Sequence, residues 1–128
     1  MTNRELFEME PLEMLSYLMR ATQVALPESL DSAEAMGAAS RATLKLGGYQ
    51  AYLEGLLGYA KCMVREAKRN CTTEEWQDMV DRKEVVERVL KSTEAEYLAL
   101  SRAATMEMDS LRRAQFDGRV LPPEGAER

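Results

Sequence analysis

The chain of 128 residues contains no histidine. That absence removes the commonest general base, the commonest metal ligand and the side chain that titrates nearest neutral pH. Aromatic residues make up only 6% of the sequence. No unbroken apolar run approaches the roughly 18 residues that a membrane span requires, and no charged-then-apolar leader is present. The two cysteines, Cys62 and Cys71, stand nine residues apart along one expected helix. At about 1.5 Å of rise per residue they lie roughly 13 Å apart, too far for a disulfide. Glycine-rich phosphate loops, nucleophile elbows and cysteine metal pairs are also missing. The Glu-x-x-His pairs of helical di-iron bundles cannot be built without histidine. The carboxylates Glu84, Glu87, Glu94 and Glu96 fall on polar faces with no partner base. These absences predict a protein that is not an enzyme, carries no cofactor or metal, makes no membrane contact and works in a reducing, cytosolic compartment.

What the chain does have is helical periodicity. Ala35, Ala39, Ala42, Leu46, Tyr49, Leu53, Leu56, Ala60, Met63 and Ala67 alternate spacings of four and three residues, the a/d pattern of a helix that faces another helix. A second seam follows, with Trp76, Met79, Lys83, Val86, Leu90, Thr93, Tyr97, Leu100, Ala104, Glu107, Leu111 and Ala114 in the same alternation. Only a short break near Asn70 and Cys71 separates the two. Helices joined so tightly must fold back on each other to bury both stripes. The expected fold is all-α: a long antiparallel helical hairpin, coiled-coil-like, with a shorter N-terminal helix packed on it.

Local signals place the boundaries. Thr2 and Glu5 fit a capping box, and Pro11 suits the first turn of a helix rather than its interior. From Pro11 the stripe Leu12, Leu15, Leu18 or Met19, and Thr22 predicts a helix over about 11–25, stopped before Pro27. Asp31 or Ser29 can cap a second helix over about 32–70. Thr72 and Glu75 form another capping box that opens a third over 73–114. Asp117-Gly118 and Pro122-Pro123 end the pattern. Residues 1–116 thus read as one helical domain and 117–128 as a flexible tail. The first helix is short enough to leave much of the hairpin with a single neighbour, which predicts a homo-oligomer.

Charge is distributed unevenly. Residues 1–34 carry a net −5, residues 35–71 a net +4, and the remainder a net −4. The acidic segment, Glu5, Glu8, Glu10, Glu13, Glu28, Asp31 and Glu34, is a candidate partner-binding surface. Lys61, Arg65, Lys68 and Arg69 follow i, i+4, i+7, i+8 spacing, and folding back about residue 71 brings Arg82 and Lys83 opposite Lys61. With Tyr59 and Trp76 nearby, Lys61, Arg65, Lys68, Arg69 and Arg82 are candidate nucleic-acid contacts. The interspersed Glu66, Asp78, Asp81 and Glu84 predict instead a salt-bridged, solvated face. Trp76 is expected to close the hairpin tip against Ala67 and Met63. The small residues Ala35, Gly37, Ala38, Ala39, Ala42, Gly47 and Gly48 are the candidate oligomer interface, since small side chains let backbones approach closely. A kink at Gly47-Gly48 accounts for the glycines equally well.

The stretch from Leu44 to Lys68, "LKLGGYQAYLEGLLGYAKCMVREAK", with Tyr49, Tyr52, Lys61 and Arg65, and the later "MVDRKE" run from Met79 to Glu84 resemble small all-helical early proteins of bacteriophages and prophages. Such proteins are often encoded beside single-strand annealing or single-strand-binding genes. The resemblance implies a phage protein, in the cytoplasm of a bacterial host, acting in DNA replication or recombination through protein contacts. It also admits an acidic inhibitor of a host defence complex. A purely structural, self-assembling protein is the third expectation.

Overall fold

The computed structural model describes residues 1–120, with side chains through Gln115. Its order is α1 (Asn3–Leu6), α2 (Pro11–Ala21), α3 (Ala33–Asn70) and α4 (Thr73–Val120), with no strand among the described residues. The long pair α3 and α4 packs as an antiparallel hairpin, and the N-terminal segment lies on it. The expected all-α hairpin is the observed fold.

Each helix start follows from its caps. Thr2 Oγ1 accepts from the Glu5 amide at 3.1 Å while the Glu5 carboxylate accepts from the Thr2 amide at 2.9 Å. Thr72 and Glu75 repeat this reciprocal pair at the start of α4, at 3.2 and 3.0 Å. Pro11 opens α2, where its missing N–H costs nothing. The cap of α3 is Ser32, whose hydroxyl accepts from the Ala35 amide at 3.0 Å. Neither Asp31 nor Ser29 fills that role, since the Ser29 hydroxyl donates to Asp31 at 2.9 Å.

Two helix ends differ from the sequence reading. Helix α2 ends at Ala21, not near residue 25, and the Thr22 hydroxyl donates to the Leu18 carbonyl at 2.8 Å there. Its buried stripe is Met14, Leu18 and Thr22, whereas Leu12 is 78% exposed. Leu18 and Thr22 belong to both the expected and the observed stripe, while Met14 rather than Leu12 begins the buried one. Helix α4 passes Ala114 and continues through Asp117-Gly118 to Val120. One glycine costs a helix roughly 1 kcal/mol, too little to stop one already propagating. Residues 121–128 of the expected tail lie outside the described residues.

The core has two clusters. The larger joins Leu6, Phe7, Met14 and Leu18 of the N-terminal segment to Leu53, Leu56 and Ala60 of α3 and Val86, Val89 and Leu90 of α4. Phe7 meets Tyr59 edge to face, ring centroids 5.0 Å apart. The smaller cluster holds Ala39, Ala42, Leu46 and Leu100, covered by Val24, Leu30 and Tyr97. Val24 and Leu30 belong to the extended stretch between α2 and α3, so the N-terminal segment covers more of the hairpin than its helices alone.

Candidate functional site

The basic residues of the lower hairpin separate into two kinds. Lys61, Arg65, Lys68 and Arg69 are all exposed on α3. Among the described residues the ion pairs within 4 Å are Lys83–Glu87 at 3.8 Å and Arg112–Asp109 at 3.9 Å, so none of these four cations is neutralised at contact range. The expected ion pairs to these four cations do not form: Glu66 and Asp78 line a different cleft, with Met63 and Arg82, and Asp81 accepts from the Gln77 amide at 3.0 Å. Lys61, Val64 and Arg65 line a shallow cleft of about 380 Å³ together with Lys83 of α4. Lys83 thus joins the cluster across the hairpin, although Glu87 offsets part of its charge.

Arg82 does not join it. Its side chain is buried, donating Nε–H to the Met9 carbonyl at 2.9 Å and an Nη1 hydrogen to the Asp78 carbonyl at 3.1 Å. About 100° of helical phase separates the neighbours: Lys83 lines the cleft with α3 while Arg82 reaches the N-terminal segment. Arg82 is therefore a structural residue, not a nucleic-acid contact.

The aromatic residues are committed elsewhere too. Tyr59 is half-buried against Phe7. Trp76 lines a small cleft with Lys68, Cys71, Thr72 and Thr73, while Met79 shares the neighbouring cleft with Met63 and Ala67. Trp76 and Met79 thus both stand at the hairpin tip, in adjoining clefts. The Trp76 Nε1–H is buried without a hydrogen-bond partner among the described residues.

The small-residue stretch is partly consumed inside the chain. Ala39 and Ala42 are buried under Leu100, Tyr97, Val24 and Leu30, so they cannot form an oligomer interface. Ala35, Gly37, Ala38 and Gly47 are half-buried and Gly48 is exposed. A Cβ added at Gly47, Gly48, Gly55 or Gly58 would meet no atom within 4 Å among the described residues, so no close helix approach there calls for those glycines.

The acidic segment is exposed but divided. Arg82 bonding to Met9 sets the start of α2 near residue 82 of α4, and a groove joining Thr22 and Gln23 to Thr93 and Glu96 sets its end higher on the same helix. Glu5, Glu8, Glu10 and Glu13 therefore lie toward the hairpin tip, and Glu28, Asp31 and Glu34 toward the open end. The 11 residues of α2 hold the groups roughly 16 Å apart. Hydrogen bonds from Thr2 and Thr72 hold the Glu5 and Glu75 carboxyls below their ordinary range. Burial, and then the Tyr17 phenol beside it, pushes the Tyr52 hydroxyl up.

Among the described residues no group of histidine, cysteine or carboxylate side chains is placed to hold a metal ion, and no helix is long and apolar enough to cross a membrane. Sequence reasoning passed over Leu6 and Phe7, although the apolar triplet with Met9 ahead of Pro11 was its visible signal. Comparison with protein-family models, curated proteins and solved structures returns no match to this chain.

Proposed function

We propose that this chain is a non-enzymatic, oligomeric helical accessory protein that acts by contact, binding single-stranded DNA weakly through one edge of its hairpin while its other surfaces engage protein. The observation that carries the reading is the exposed row Lys61, Arg65, Lys68 and Arg69, with no ion pair within 4 Å among the described residues, faced by Lys83 across the cleft. A row of cations along a helix matches the phosphate spacing of a flexible single strand, whose backbone can follow it. The resemblance to phage early proteins gives this chemistry a setting in DNA replication or recombination.

Two other readings draw less support. An acidic inhibitor of a host defence complex needs one negative surface, and the fold splits the seven carboxylates into two groups. A purely self-assembling structural protein leaves the cationic row without a role.

The test is fluorescence anisotropy of a labelled single-stranded oligonucleotide across a salt series. The combined change Lys61→Glu and Arg65→Glu should weaken binding about tenfold or more, and flatten the log–log salt slope by roughly 1.4 for two lost phosphate contacts. Lys83→Gln should weaken it less, because Glu87 already offsets that charge. Absence of binding at low salt would remove the nucleic-acid part of the reading.

A further inference from the structure

The upper half of α4 carries a face that nothing among the described residues covers. Helix α4 has 48 residues against 38 for α3, and the two start from the same tip, so α4 overhangs α3 by roughly 15 Å. Below the overhang, α2 ends at Ala21 and only the extended stretch continues beside α4. An open groove of about 710 Å³ remains, with Leu26, Pro27 and Leu30 on one wall and Ala99, Ala103 and Met106 on the other. Met106 is 72% exposed at its edge.

We propose that the occupant of this groove is α4 of a second copy, laid antiparallel; the inference rests on the oligomeric part of the reading above and names its interface. The argument comes from spacing and charge. Glu96, Ala99, Ala103, Met106, Ser110 and Arg113 are separated by 3, 4, 3, 4 and 3 residues, an order that reads the same in both directions. A two-fold axis between residues 104 and 105 therefore superimposes the seam on its own reverse. Met106 of each copy then sits over Ala103 of the other, a large side chain over a small one, and Ser110 sits over Ala99. Glu96 meets Arg113 of the second copy, and both pairs recur by symmetry. On the solvent side of the seam, Arg102 comes within one turn of Asp109 of the second copy, again twice. Glu96, Arg102, Asp109 and Arg113 thus each face an opposite charge, which a parallel pairing would not achieve, while Glu107 lines the groove on the other side of the seam without a cation opposite.

Sedimentation equilibrium of the full chain tests this, with far-UV circular dichroism confirming each variant's fold. The wild type should be a dimer at about 100 μM, and Met106→Glu should be monomeric there, since one desolvated charge at the centre of a small interface abolishes it. Arg102→Asp or Asp109→Arg alone should weaken the dimer about tenfold, and the two together should restore it. A wild-type monomer, a dimer untouched by Met106→Glu, or a double variant as weak as its parents would each overturn the proposal. Oligonucleotide anisotropy on the Met106→Glu variant reports the contact reading separately: binding there survives loss of the dimer, and failure to bind leaves the dimer measurement standing.

Discussion

The Arg82 Nε–H donates to the Met9 carbonyl at 2.9 Å, joining positions 73 residues apart in sequence. A second bond from the same guanidinium to the Asp78 carbonyl holds its plane in place. The pair clamps the stretch between α1 and α2 onto α4, beside the cluster in which Leu6 and Phe7 are buried. Replacing Arg82 with methionine keeps the aliphatic bulk but leaves the Met9 carbonyl without its donor. Loss of a charge-assisted bond with an acceptor stranded in a part-buried site costs about 2 kcal/mol. Urea unfolding should show the midpoint falling accordingly, with oligonucleotide affinity of the folded variant unchanged. An unaltered midpoint would defeat the clamp; lost affinity at full stability would return Arg82 to the cationic row.

Arg82 also shows where the sequence stops being legible. The heptad seams predict the hairpin because Ala39, Leu46, Leu53, Leu56, Val86, Leu90 and Leu100 each pay out in burial at their own register, within one or two helices. The caps at Thr2 and Thr72 are legible for the same reason, since both partners lie three residues apart. Arg82 and Lys83 are adjacent and alike in charge, and only the path of a distant segment decides which is buried. The same holds for Ala39 and Ala42: small side chains announce close packing without saying which surface closes on them. The end of α4 was misplaced because Asp117-Gly118 is a turn signal whose strength depends on the 40 and more helical residues preceding it.

The two capping boxes make stability depend on acid pH. Glu5 and Glu75 have carboxyl pKa values lowered in the folded chain by hydrogen bonds from Thr2 and Thr72. A lowered folded value means the unfolded chain takes up protons first as pH falls. Their contribution is therefore complete above the ordinary glutamate value of about 4.3 and is lost as pH drops through the lower folded values. Thermal melting followed between neutral pH and pH 3 should show a fall over that acidic window that is smaller in Glu75→Gln. Both side chains are solvent-exposed, so the difference is a modest one. Equal acid sensitivity in wild type and variant would mean that other carboxylates govern the transition.

The glycines of α3 set up an opposed pair of outcomes. Gly48, Gly55 and Gly58 stand in the interior of a 38-residue helix, and an added Cβ meets nothing within 4 Å at any of them. Alanine there removes backbone freedom from the unfolded chain and introduces no clash, so each substitution should stabilise by about 0.5–1 kcal/mol. Ala42 shares the buried face of Leu46, away from these glycines, and is only 3% exposed and packed with Leu100. Ala42→Leu forces three further carbons into a packed contact and should destabilise by about 1–3 kcal/mol. Urea midpoints of the four variants measure both signs at once. Glycine variants that lose stability would mean that the open face of α3 is closed in solution by another chain, and the wild-type sedimentation profile would then have to contain more than the α4 dimer.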